Sequence, residues 1–271
     1  MRDYAKLQKD IQRTLGIDLS AYKEQQMRRR INQWLDRHRL TSYDELIQTI
    51  VRDQTHREKF VEYLTINTSS FFRDKRVFDV IEDTVLPAVS RQRRPRIWSA
   101  GASIGAEIYS IAILMKEARF TPGLLLATDI DEAVLEKAKA GVFLPSHING
   151  MDAKYLDRYF ARTPEGNWAV SESIKSLVTF RTHDLLKDPY ESHFDLILCR
   201  NVFIYFTSET QKRLITNFVQ SLNPSGYFIV GSAEQIMDPG SFGLQRVSYC
   251  IYQKPEKGGQ SCEKEAGPRH R

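Results

Sequence analysis

Between residues 96 and 231, short apolar runs alternate with stretches of helical period, and few folds accommodate that alternation. The runs at 96–100, 124–129, 177–182, 194–199 and 226–231 are strand-like, whereas 107–119, 131–140 and 208–222 place apolar residues at three- and four-residue intervals. Strands separated by helices pair in parallel through crossovers, so an α/β domain with a largely parallel sheet is expected. The last apolar run, 244–253, follows too closely for another crossover helix and is expected to close the sheet as one antiparallel strand. Residues 141–176 interrupt the alternation and read as an insertion at the sheet's edge.

The chain ahead of this region is different. From residue 4 to about 87 the pattern is helical with almost no glycine, which predicts a small helical module. In the helix expected over 22–40, Met27, Ile31, Trp34 and Leu35 form one stripe, and Arg29, Arg30, Gln33 and Arg37 fall on the opposite side. The charged, proline-containing stretch Ser90-Arg-Gln-Arg-Arg-Pro-Arg96 marks the expected boundary, giving a front module at 1–90 and an α/β domain at 91–254. Residues 1–96 carry 20 Lys and Arg against 14 Asp and Glu, so the whole net charge of +5 originates there. A basic face of that kind meets an acidic partner or is simply solvated. Residues 255–271 have charge and glycine without apolar period and read as a disordered tail.

With 41% hydrophobic and 27% charged residues the composition is that of a globular protein. No apolar run reaches the roughly 20 residues of a spanning helix, and the N-terminus lacks a signal-peptide core, so a cytoplasmic protein without membrane insertion is expected. Cys199, Cys250 and Cys262 are too scattered for a disulfide framework, and the six histidines show no ligand spacing, so no metal is expected.

The turn after the first strand, Ser99-Ala-Gly-Ala-Ser-Ile-Gly-Ala-Glu107, has GxxxG spacing. That matches neither the dinucleotide fingerprint nor the phosphate loop. It suits close backbone approach to a nucleoside without phosphate. Asp129, at the end of the second strand, can accept hydrogen bonds from both ribose hydroxyls, or serve the following helix as a cap. Glu107 faces the same ligand or favours the helix dipole. S-adenosylmethionine is the common phosphate-free adenosine cofactor of such sheets, which points to methyl transfer. Arg200 and Asn201 emerge where the fourth strand leaves the core, the place where ligands bind open α/β sheets. No Asn/Asp-Pro-Pro-aromatic motif follows to grip a nucleobase, and the helical arm lacks aromatic interleaving, so nucleic acid is not the expected substrate.

Four blocks in order, Asn67-Thr-Ser-Ser-Phe-Phe-Arg73, Ser99-Ala-Gly-Ala-Ser-Ile-Gly-Ala-Glu-Ile-Tyr-Ser110, Ala127-Thr-Asp-Ile-Asp131 and Cys199-Arg-Asn-Val-Phe-Ile-Tyr-Phe206, give the chain a specific likeness. It resembles the CheR-type chemotaxis receptor methyltransferases, which esterify glutamate side chains of methyl-accepting chemoreceptors. The resemblance implies an all-α N-terminal domain on a Rossmann-like methyltransferase domain, with a small antiparallel β-subdomain inserted at about 141–176. It implies that Asn67, Ser69, Arg73, Glu107, Asp129, Asp184, Leu185, Arg200 and Asn201 hold S-adenosylmethionine. Arg73 and Tyr205 would lie near the transferring methyl, and Arg29, Arg30 and Arg37 would meet the receptor's acidic helices. Family members commonly read Gly-Cys-Ser-Thr-Gly-Glu-Glu-Pro-Tyr-Ser where this chain has Gly101 to Ser110, so Glu107 aligns with the second of two acids. Ser69 replaces a frequent threonine, and Asp184 a frequent asparagine. The loop Arg162-Thr-Pro-Glu-Gly-Asn-Trp168 is shorter than in relatives that dock a receptor-tail pentapeptide, which implies a pentapeptide-independent type. A monomer is the expected state. The competing reading is a non-catalytic cofactor-binding adaptor in signalling.

Overall fold

The computed structural model describes residues 3–65, 69–92 and 94–256. Four helices open the chain: α1 (Tyr4–Leu15), α2 (Glu24–His38), α3 (Tyr43–Arg52) and α4 (Gln54–Thr65). Their ends are set locally. The Asp3 side chain accepts from the Lys6 N–H at 3.1 Å and Ser42 from Glu45 at 3.1 Å, and α1 stops at Gly16 in the left-handed region. The apolar stripes of these helices, including Leu7, Ile11, Met27, Ile31, Trp34, Leu46, Ile50 and Phe60, close a core of their own.

Helices α5 (Lys75–Val80) and α6 (Leu86–Val89) flank a π-helical turn over Ile81–Val85. Pro87 lacks an N–H to return to the preceding turn, and the backbone widens just before it. Phe71, Val77, Phe78, Ile81, Val85, Leu86 and Val89 are buried in the larger core, so the change of core falls before residue 71, earlier than the charged stretch at 90.

The rest is the sheet domain. Its elements are β1 (Arg96–Ala100), α7 (Ala106–Glu117), β2 (Leu124–Asp129), α8 (Glu132–Ala140), β3 (Val142–Phe143), α9 (Ala153–Tyr159), β4 (Phe160–Arg162), β5 (Trp168–Val170), α10 (Glu172–Lys175), β6 (Thr179–Thr182), β7 (Phe194–Cys199), α11 (Ser208–Ser221), β8 (Leu222–Val230), β9 (Gln245–Ser248) and β10 (Ile251–Gln253). Seven strands form one sheet in the order β6-β2-β1-β7-β8-β10-β9. The first five are parallel, with Ile97 level with both Leu125 and Leu196. The order reverses between β1 and β7, and at such a reversal the loops part and leave a crevice at the strands' carboxyl ends.

Strands β3, β5 and β4 make the small antiparallel sheet within 141–176. Two expectations are corrected. The run 244–253 is a hairpin of two strands, with β10 between β8 and β9, because the chain turns at Tyr249-Cys250. The third parallel strand along the chain starts at Thr179, since Leu177 and Val178 still donate to the Ile174 and Lys175 carbonyls of α10, each at 3.1 Å.

Candidate active site

The glycine turn is built for packing. Gly101 has φ +73°, and a Cβ there would fall 2.6 Å from a Val202 methyl. The turn's amides are already engaged: Gly101 and Ala102 both donate to the Thr128 carbonyl at 2.8 Å, and Ser103 donates to an Asp129 carboxylate oxygen at 2.8 Å. What remains exposed to a ligand is backbone surface and the Asp129 carboxylate. Its other oxygen accepts from the Asp131 N–H at 3.1 Å. Two N–H donors leave lone pairs on a group that can accept about four hydrogen bonds. Burial pushes the Asp129 pKa up, against the pull of those N–H groups. The helix cap is Asp131, which accepts from Val134 at 3.2 Å, so Asp129 is not needed for it.

Arg200 sits beneath this turn with its side chain 2% exposed. It donates to Glu107 at 3.1 Å, to Asp74 at 2.8 Å and to the Arg73 carbonyl at 2.9 Å. Glu107 also accepts from the Ser99 hydroxyl at 2.7 Å. One buried cation therefore ties the end of β7, the start of α7 and the 69–74 segment together. Phe72, Asp74, Ser103 and Asn201 all have positive φ without being glycine, and strain of this kind persists where surroundings fix it.

The loop after β7 carries Asn201 and Tyr205 and is held from two sides. Glu234 accepts N–H groups from Asn201 at 2.7 Å and Ile204 at 3.0 Å. From the front module, Lys23 donates to the Tyr205 carbonyl at 2.8 Å, Thr207 donates to Ala21 at 3.0 Å, and Tyr22 bridges Phe206. Arg30 and Arg73 both bear electrostatically on the Tyr205 phenol, lowering its pKa against the larger upward effect of burial.

These elements enclose a cleft of about 1300 Å³, counting the solvent at its mouth. Ser69, Arg73, Glu107, Asp129, Asp184, Leu185, Arg200, Asn201 and Tyr205, all expected from the sequence, line it together. Asp184 accepts from the Leu186 N–H at 2.9 Å and pairs with Lys187 at 3.1 Å. Asn67 lies outside the described residues. Arg29, Arg30 and Arg37 do not line the cleft, and they do not form one open face. Arg29 and Arg37 are exposed, but Arg30 is half-buried, lies over the Tyr63 ring at 4.5 Å and donates to the Tyr63 carbonyl. The sequence reading missed Tyr22, Ile130 and His183 in the lining, and Asp74 and Glu234 behind it. Among the described residues no three His, Cys, Asp or Glu side chains converge to hold a metal ion.

The family comparison bears on this cleft directly. The profile described as "CheR methyltransferase, SAM binding domain" matches residues 67–249, and "CheR methyltransferase, all-alpha domain" matches residues 2–65. The chain belongs to the CheR methyltransferase family. It is 35% identical over 257 residues to a chemotaxis protein methyltransferase of Listeria monocytogenes, covering 93% of this chain and 97% of the relative. It is 36% identical over 258 residues to chemotaxis protein methyltransferase 2 of Pseudomonas aeruginosa, covering 92% of each. A solved S-adenosylmethionine-dependent methyltransferase from Mesorhizobium loti aligns over 55% of this chain and 50% of its own at 20% identity, with a TM-score of 0.33, too loose a likeness to add weight.

As a CheR enzyme the protein is an S-adenosylmethionine-dependent methyltransferase of chemotaxis, and its cleft suits the cofactor. The Ser103 hydroxyl and His183 Nε2 are buried without a hydrogen-bond partner among the described residues, both on residues lining the cleft. Buried polar groups of that kind await a partner. Glu107 is balanced by Arg200 and Asp184 by Lys187, whereas Asp129 is bonded by N–H groups alone, which leaves its carboxylate to suit a cationic sulfonium nucleoside. Among the described residues no helix is long and apolar enough to cross a membrane.

Proposed function

We propose that this CheR enzyme methylates glutamate side chains of chemoreceptors, acting as a monomer in the cytoplasm. The observation that carries the substrate class is that Arg73 and Tyr205 line one cleft with Asp129 and Asn201. A guanidinium and a phenol in one cleft offer a carboxylate N–H and O–H donors. Asp129 would hold the ribose hydroxyls, Asp184 would accept from the adenine amino group, and Ser69, Leu185 and Asn201 would complete the wall; family likeness assigns Asn67 to the same cofactor. Glu107 and Arg200 would act as a pair, the arginine fixing the acid.

A solvated glutamate side chain titrates near pH ~4.3 and is an anion at neutral pH, so no base is needed to activate it. S-adenosylmethionine, when bound, supplies an electrophilic methyl on its sulfonium. Arg73 orients the incoming carboxylate by paired N–H donors, and Tyr205 donates its O–H to one oxygen so that the other faces the methyl. The cleft contributes in-line placement and exclusion of water. Arg29 and Arg37, exposed on α2, would draw in acidic receptor helices, and Arg30, half-buried against Tyr63, would add to the same positive field.

The Arg162–Trp168 hairpin supports pentapeptide independence. It is closed by Thr163 donating to Asn167 at 2.9 Å, and Arg162 covers Trp168 at 4.6 Å. Calorimetry with a receptor-tail pentapeptide should show no tight binding.

Titration with S-adenosylhomocysteine should release heat, and tritiated methyl transfer to receptor-containing membranes should yield base-labile methanol. Arg73→Ala should reduce that transfer at least ~100-fold, the scale of a lost positioning group. Absence of heat with the unaltered protein, or full transfer by Arg73→Ala, overturns the reading.

A further inference from the structure

Glu234 lies behind the cleft wall and does not line it. It follows β8, whose carboxyl end faces the crevice beside β7. One of its carboxylate oxygens accepts from Asn201 at 2.7 Å and from Gly231 at 2.8 Å, and the other accepts from Ile204 at 3.0 Å. Its own N–H returns to the Gly231 carbonyl at 2.9 Å, which closes the 231–234 turn on itself. The approach is close enough that a Cβ on Gly231 would meet this carboxylate at 2.5 Å. The same turn reaches the other half of the site, since the Ser232 hydroxyl donates to Asp74 at 3.3 Å, and Asp74 holds Arg200.

The two N–H groups that Glu234 takes from the loop belong to residues on a short 3-10 turn, Phe203–Tyr205, and just ahead of it. Asn201 has φ +61°, a conformation that its own side chain tolerates but that still needs outside support. Without an acceptor, the Asn201 and Ile204 amides would be left unsatisfied in a partly buried loop, and the loop would move to find water. Asn201 and Tyr205 would move with it.

We infer that Glu234 is a positioning residue for methyl transfer, a carboxylate clamp that sets the Asn201–Tyr205 loop against the incoming substrate. This rests on the proposed function above, in which Tyr205 meets the reacting carboxylate. The clamp works by acceptance alone. A glutamine at 234 keeps the length but turns an amide NH₂ toward N–H donors on one side, so at least one of the three bonds becomes a repulsion.

The test is Glu234→Gln in the full chain, followed by hydrogen exchange, S-adenosylhomocysteine calorimetry and methyl-transfer kinetics. Exchange in the peptide spanning residues 200–206 should accelerate at least ~10-fold while the β1–α7 turn keeps its protection. kcat should fall ~10- to 100-fold, the scale of a positioning loss, with KM for receptor changed less than about threefold. Glu234→Asp, which keeps the charge and shortens its reach, should give the same pattern and serves if the glutamine variant does not fold. Unchanged exchange at 200–206, a uniform rise in exchange throughout the domain, or kcat within about twofold of the unaltered enzyme overturns the inference. Failure of the unaltered protein to bind S-adenosylhomocysteine would instead overturn the functional reading beneath it.

Discussion

Arg200 and Arg29 are the same residue type put to opposite use. Arg200 is enclosed, bonded to two carboxylates and a carbonyl, and has no charge left to offer a partner. Arg29 stands exposed on α2, with its field directed into solvent. A buried guanidinium among acids fixes geometry and costs much when one member is removed, whereas an exposed one attracts from a distance and is screened by salt. Arg30 lies between these cases, half-buried against Tyr63 and within electrostatic reach of Tyr205. The comparison separates a cleft floor that holds shape from an outer rim on α2, beyond the cleft lining, where the proposed function puts recognition of charge.

The largest effect belongs to the floor. Arg200→Ala leaves Asp74 and Glu107 without their shared cation and should cost about 3–5 kcal/mol of stability, as breaking a buried pair does. Thermal unfolding should shift down by several degrees, and heat on titration with S-adenosylhomocysteine should vanish; an unchanged melting temperature would erase the distinction.

The middle effect belongs to the rim. Arg29→Glu with Arg37→Glu should lower kcat/KM for receptor about tenfold at low salt, a difference of about 1.4 kcal/mol. The gap should close near ~1 M salt, where the screening length is about 3 Å. Cofactor affinity should not move. Choosing Arg29 and Arg37, and sparing Arg30, separates recognition from the chemistry at Tyr205.

The smallest effect tests whether charge count alone matters. Arg39 ends α2 with φ +56°, where glycine is the preferred residue. Arg39→Gly should therefore stabilise the fold by about 0.5–1 kcal/mol by relieving the left-handed strain. Methylation should fall less than about twofold; a loss as large as that of the double reversal would mean that net charge, and not the α2 face, attracts the receptor.

The parallel strands β1, β2 and β7 were legible because strands buried on both faces read as unbroken apolar runs, and their predicted ends match the structure residue for residue. The β9–β10 hairpin was not. Its turn at Tyr249-Cys250 has none of the Gly, Asn or Asp residues that announce a reversal, so two strands read as one. In the site, residues within a motif block could be named, and the structure gathers those it describes into one cleft. Asp74 escaped because its partner Arg200 is 126 residues away, and pairing at that distance leaves no local trace. Glu234 had a trace. It stands just past the carboxyl end of a strand, close to the placement that singled out Asp129, and that rule applied to β8 would have found it. Helical angle puts Arg30 on the open side of α2, but it cannot register that Tyr63 of α4 reaches across to cover it.

Ile17, Leu19, Tyr22 and Met27 come from the first helices and the turn between them, yet they wall the same cleft as Asp129 and Asn201. A bound nucleoside would be roofed by the same lobe that carries the exposed arginines of α2. Since Met27 of α2 is part of that roof, a change that shifts α2 would reshape the ceiling over the nucleoside as well as the outer surface of the lobe.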